Sequence, residues 1–202
     1  MSATDDLMAA ALELVTEQGP AGFTLREAAR RAGVSHATPG YLFGDRRGLL
    51  TQVAVGGIRR FTAAMETACR NGDTPIDRLS AIGNAYVAFA RSEPHIFRLI
   101  FSYEHVDSSD AELIDARMAS QGPLRRAMAE IYGTDEVTPE ILERIQLARA
   151  TVHGIARLTL DGPFSGTPRS ERELAASVIA ALMPALLAPL ARTASESSKR
   201  PS

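Results

Sequence analysis

A chain of 202 residues that is 45% apolar, with net charge −2 and one cysteine, Cys69, can bury the cores of one small and one larger helical domain but cannot form an intrachain disulfide. Its acidic start, MSATDDLM, lacks the basic lead of a secretory signal, so a reducing, cytoplasmic setting is expected. The negative total would exclude nucleic acid were it uniform, but positions 26–60 hold seven Arg against only Glu27 and Asp45, leaving the acidity to the remainder.

Helical spacing of Leu7, Ala11, Leu14 and Val15 predicts a first helix over about 4–18, with Asp5 and Asp6 at its positive end and Gly19-Pro20 as its stop. Thr24 and Glu27 then stand at the spacing of a capping box, and Gly33 ends the helix they open. Val34 offers an apolar plug for the turn. Ser35 and Thr38 are alternative caps for the next helix: capping by Thr38 puts Pro39 at the first helical position, whereas capping by Ser35 leaves a frayed or 3₁₀-like turn. Either way that helix is short, and the unit 24–50 reads as a helix-turn-helix, a DNA reader. A long helix from Asp45 to about Arg70 would tie it to the rest of the chain, with Arg46 and Arg47 at its start where phosphate contact is common.

Beyond the break at 71–75, Thr74 with Pro75 opens another helix, and further breaks are expected near 93–94, 105–109, 133–139 and 162–168. No strand is predicted. Positions 94–103, PHIFRLIFSY, concentrate aromatics in a chain that is 5% aromatic, and they serve either as core or as a ligand wall. Positions 174–191 are uncharged over about 27 Å of helix, near the length of a membrane span. Pro184, Pro189 and a capping box at 170–173 favour instead a helix buried against a second subunit. The polar tail 193–202 is expected to be disordered.

The stretch 24–50, with Gly33-Val34-Ser35, Thr38, Tyr41, Phe43, Gly44-Asp45-Arg46 and Leu49-Leu50, resembles the DNA-binding domain of the TetR family of transcriptional regulators. Positions 86–90 and 94–101 with Val152-His153-Gly154 and Leu158 resemble the C-terminal domain named for a Trp-His-Gly signature, although this chain has no Trp. The resemblance implies an all-α protein: a three-helix reader at 1–48, then a helical bundle at 49–192 that binds a ligand and forms a homodimer through helices near 138–161 and 170–192.

It further implies that Thr38 and Tyr41 contact phosphate, with Arg46 adding charge. His36, Ala37 and Gly40 are the candidates for base edges and Arg30 for bases or backbone; Thr24 and Ser35 complete the DNA-contacting set. Ala37 offers a methyl contact to thymine, whereas Gly40, where the family more often has an aromatic, offers only close approach. For a ligand pocket the candidates are Phe89, Phe97, Phe101, Met128, Val152 and His153, the last equally suited to a core hydrogen bond or a contact across the dimer.

The expected partners are double-stranded DNA carrying a palindromic operator, a hydrophobic small-molecule effector and a second copy of the chain. No cofactor, metal or membrane is expected. His36, His95, His105 and His153 show no pair at i, i+4 spacing, Gly33-Val34-Ser35-His36-Ala37 is one residue short of a nucleophile elbow, and no Gly-rich phosphate loop occurs, so an enzyme is not expected. The competing class is a helical protein-binding adaptor, which leaves the Arg-edged helix-turn-helix without a purpose.

Overall fold

The computed structural model describes residues 2–162 and 170–188 and arranges them in helices, with no strand among the described residues. Helix α1 (Ala3–Gly22) starts one residue earlier than the sequence suggested, because Ser2 and Asp5 form a reciprocal capping box. It also continues past the expected stop. Gly19 turns the backbone to φ 73°, ψ 170°, a conformation that suits glycine, and Pro20 opens one more turn before Phe23. Leu7, Ala11, Leu14 and Val15 are fully buried, as their spacing predicts.

Helix α2 (Leu25–Ala32) is capped by the Thr24 hydroxyl, which accepts from the Glu27 amide at 3.2 Å. The second half of the expected capping box is missing, because the Glu27 carboxylate takes two hydrogen bonds from Arg30 instead. Gly33 closes α2 in the left-handed region, and Val34 packs on the core. Helix α3 (Thr38–Phe43) is six residues long and begins after Ala37, so neither predicted cap serves. Ser35 and Thr38 hydrogen-bond to one another at 2.7 Å, and Pro39 is buried at the second helical position. Asp45 then caps α4 (Arg46–Arg70), a continuous 25-residue helix.

Thr74 and Asp77 box the start of α5 (Pro75–Ser92), and Pro94 opens the short α6 (Pro94–Ile100). Two helices fill the next interval, α7 (Ala111–Ala119) and α8 (Gly122–Tyr132), divided at Ser120-Gln121, a break not among those expected although Gly122-Pro123 follows it directly. Helix α9 (Pro139–Asp161) is capped by Thr138, and α10 (Glu171–Leu187) by Ser170 in the predicted box with Glu173. Positions 163–169 and 189–202, which include most of the expected break at 162–168 and the expected polar tail, lie outside the described residues. No helix among the described residues is long and apolar enough to cross a membrane.

One apolar cluster runs from Leu7 in α1 through α4, α5 and α6 to Leu186 in α10. A smaller one joins Val87 of α5, Val152 and Ile155 of α9, and Ala175 and Ile179 of α10. The aromatic segment is central to the first: Ile96, Phe97 and Leu99 are fully buried. Burial of this kind contributes roughly 1.5–3 kcal/mol per large side chain.

Candidate DNA-reading face and effector cavity

The first turn of α3 and the residues before it leave a polar, unpacked face. Ser35, His36, Ala37, Gly40 and Tyr41 are all exposed, and Thr38 is half-exposed through its tie to Ser35. Tyr41 is 89% exposed, while Pro39 on the opposite side is buried. An aromatic so placed gains nothing from its own fold, since its ring keeps nearly all its contact with water. Thr24 and Arg30 are also exposed, although the Thr24 hydroxyl is engaged as a cap and the Arg30 guanidinium is paired to Glu27.

Arg46 must be reassigned. Its Nε donates to the Phe23 carbonyl at 2.9 Å and its Nη2 to the Pro20 carbonyl, so the guanidinium joins α4 to the end of α1 rather than reaching outward. The carbonyls left open where α1 ends attract it. Arg47 likewise donates to the Val106 carbonyl at 2.8 Å. Arg31 pairs with Glu17 and Glu13, Arg59 with Glu112 and Arg60 with Glu93. Several of the acids that answer the basic stretch therefore lie outside it in sequence, and a local charge count overstates the free positive charge.

A cleft lies between α4, α5, α8, α9 and α10. Its inner part, about 70 Å³, is apolar, walled by Phe61, Ile82, Leu124, Val152, Ile179 and Leu182. It adjoins an outer bay of about 640 Å³ where Arg117, Arg149, Gln146 and His153 add polar groups. Phe61, Tyr86, Phe101, Ser120, Gln121 and Arg149 line both parts. Of the predicted lining residues, Phe101, Val152 and His153 face this space. Phe89, Phe97 and Met128 do not: they are core side chains behind the wall, Phe89 edge-on to Phe61 and Phe97 edge-on to Tyr86. Periodicity marks a helix's buried face without distinguishing the parts of it that meet a void, so it points to these three as readily as to Phe61 and Tyr86, which do line the cleft.

The Tyr86 hydroxyl lies 2.9 Å from His153 Nδ1. Burial pushes the Tyr86 phenol well above its ordinary range, against a smaller opposite effect of Arg149. Burial, with the Arg157 and Arg149 charges, holds the His153 imidazole below its ordinary value, so both groups are neutral at pH 7.

The cavity is connected to the reader by short physical links. Helix α4 supplies Phe61 to the wall and Asp45 to the turn after α3. Helix α6 crosses it at Gly57, where a Cβ would stand 2.7 Å from Ile96 Cγ2 and 2.9 Å from Ile100 Cγ2. After α6, the Asp107 amide donates to Thr51 Oγ1 at 2.8 Å, beside the Arg47–Val106 bond, so the loop grips the first two turns of α4. Arg117, at the bay, donates to the carbonyls of Ile100 and Ser102 at the head of the same loop.

Residues 7–53 match the bacterial regulatory proteins of the tetR family, and residues 79–182 match the tetracyclin repressor-like C-terminal domain. The chain belongs to the TetR family. The second match covers half the chain, and the Trp-His-Gly type remains a resemblance beside it. The solved structure of a protein of unknown function from Rhodococcus sp. RHA1 is 31% identical, covering 93% of this chain and 96% of that one at a TM-score of 0.80.

Two more distant structures share the fold. The TetR family transcriptional regulator PfmR from Thermus thermophilus is 17% identical over 87% of this chain and 96% of its own, with a TM-score of 0.63. The transcriptional regulator FadR from Bacillus subtilis, solved with stearoyl-CoA, is 15% identical over 89% of this chain and 97% of its own, with a TM-score of 0.65. The comparison with curated proteins gave no match. TetR proteins are transcriptional regulators and not enzymes, so this chain is a DNA-binding regulator by family.

Proposed function

We propose that this TetR-family protein is an effector-responsive repressor that binds a palindromic operator as a homodimer and releases it when a small molecule fills the α4–α10 cleft. Residues 1–48 are the reader, and 49–192 bind the effector and pair the subunits. The observation that carries the reading is Tyr41, left almost wholly in water on a short helix whose other side is packed. Two such helices about 34 Å apart match successive major grooves. Thr38 and Tyr41 contact phosphate, His36, Ala37 and Gly40 approach base edges, and Thr24, Ser35 and Arg30 border them. With so few polar base readers, DNA shape carries much of the specificity.

A mobility shift across a salt series, on DNA flanking the protein's own gene, tests this. Salt-sensitive binding of a dimer to a palindrome is the expected result, and binding to no DNA in a genome-wide selection would defeat it. Tyr41→Ala is expected to weaken binding roughly tenfold on every sequence, and His36→Ala to change preference at particular bases by about 1–3 kcal/mol. Reversed effects would exchange the two roles.

Subunit pairing is proposed on the outer face of α9 and α10. Leu147, Ala150 and Leu158 are exposed there at helical spacing, and Ala176 and Ala180 are exposed on α10. A Cβ added at Gly154 would meet nothing within 4 Å. Small residues between leucines let helices approach closely. Leu158→Glu should convert the dimer to monomer in sedimentation and abolish cooperative operator binding; an unchanged dimer would place the interface elsewhere.

Release requires the effector to favour one of two arrangements. Coupling of about 1–3 kcal/mol changes operator affinity by roughly 5–150-fold. The long α4 helix, and the α6 loop that grips its start, supply the mechanical route.

A further inference from the structure

We propose that the effector is an amphipathic anion whose apolar body enters the inner cavity and whose carboxylate is held by Arg149, with Arg117 beside it. This deepens the effector-responsive reading above and rests on it. The two parts of the cleft differ in chemistry. The inner one is walled mainly by aliphatic and aromatic side chains, with Ser120, Gln121 and Arg149 as its polar lining, and the outer bay carries two guanidinium groups. Among the described residues, no Asp or Glu lines either part.

That imbalance is uncommon in this chain, where Arg30, Arg31, Arg59, Arg60, Arg78, Arg98, Arg126 and Arg157 all have carboxylate partners. Among the described residues, Arg149, which lines both parts, makes one hydrogen bond, to Gln146 Oε1 at 3.2 Å. A guanidinium at the edge of an apolar cavity with only a neutral partner retains donors for a planar anion, and Arg–carboxylate pairs form two parallel bonds. Tyr86 and His153 satisfy one another at 2.9 Å and add no charge, so the bay remains positive. The two-part lining, apolar in one part and cationic in the other, selects a molecule with an apolar body and one polar end.

Arg117 gives the head group a second consequence. Its Nη2 donates to the Ile100 and Ser102 carbonyls at 3.3 and 3.1 Å. A carboxylate within its reach is a stronger acceptor than either carbonyl. Drawing Arg117 toward the bay loosens the head of the loop that grips Arg47 and Thr51 on α4.

The test is calorimetric titration of the full-length protein, without DNA, using two matched pairs of probes: octanoate with octan-1-ol, and 4-phenylbutanoate with 4-phenylbutan-1-ol. In at least one pair the acid should bind roughly tenfold more tightly than the alcohol, or better. Arg149→Met should reduce that ratio to within about threefold by removing the charged donors, while Arg149→Lys retains most of it. Thermal melts establish that both variants fold.

Equal binding of acid and alcohol, survival of the ratio in Arg149→Met, or no binding of any probe at about 1 mM, the weak end of specific affinity, overturns the proposal. A mobility shift with the same acid separates the two readings. Tight binding with no release of the operator supports the ligand class and defeats the regulatory reading alone.

Discussion

Arg46→Met is expected to destabilise the protein by about 2 kcal/mol in chemical denaturation while leaving the salt dependence of operator binding unchanged. The reason is geometric. The guanidinium holds the carbonyls of Pro20 and Phe23, the two ends of the turn that leads from α1 to α2. Hydrogen bonds from a charged donor contribute roughly 1.5–3 kcal/mol, and a thioether of similar length cannot replace them. A phosphate-binding Arg would behave in the opposite way: its loss would lower the salt slope by about one and leave stability nearly unchanged. The two measurements together separate an architectural Arg from a DNA-contacting one. A lowered slope with native stability would return Arg46 to the DNA interface.

Gly57→Val should have the largest functional effect of any single substitution away from the reader: loss of operator binding in the absence of any effector, by more than roughly tenfold. At this position α4 and α6 touch so closely that even a Cβ stands within 2.9 Å of two isoleucine methyl carbons. Ile96 and Ile100 are themselves buried, and branching at Cβ leaves their methyls little room to turn aside. Overpacking of this sort costs about 1–3 kcal/mol and is relieved by moving one helix. Helix α6 is the shorter of the two and carries the loop that holds the start of α4, so its displacement is expected to imitate the released state proposed above. A folded Gly57→Val protein with native operator affinity would show that α6 plays no part in the coupling.

The helix-turn-helix is legible because its signals are local: a cap at Thr24, a left-handed glycine at Gly33 and a proline beside a short helix each act within four residues. Helix ends with competing partners are less legible. Nothing near Glu27 in sequence states that its carboxylate will prefer Arg30 to the backbone amide it could have capped, since the two options lie within one turn. A count of charges along the reader misleads for a related reason. The acids that answer Arg31, Arg59 and Arg60 come from α1, α7 and the α5–α6 junction.

The cavity is legible only in part. Composition and resemblance lead to Phe101, Val152 and His153, but an apolar stripe looks the same whether it meets another helix or an empty space. Arg149 carries a usable signal of its own. It sits between buried Ala148 and buried Val152 on α9, where a guanidinium needs a reason to be.

A Cβ built on Gly19 would come within 2.9 Å of Nδ1 of His95, the second residue of α6. The reading head is thus seated on a helix that belongs to the C-terminal domain, and the two meet closely at this point. A head taken from a relative and grafted onto this body would need glycine at the seat, both to clear the imidazole beneath it and to hold a φ of 73°. Redirecting this protein to another operator is therefore expected to succeed more readily by altering the proposed base readers His36, Ala37 and Gly40 in place than by exchanging the whole head.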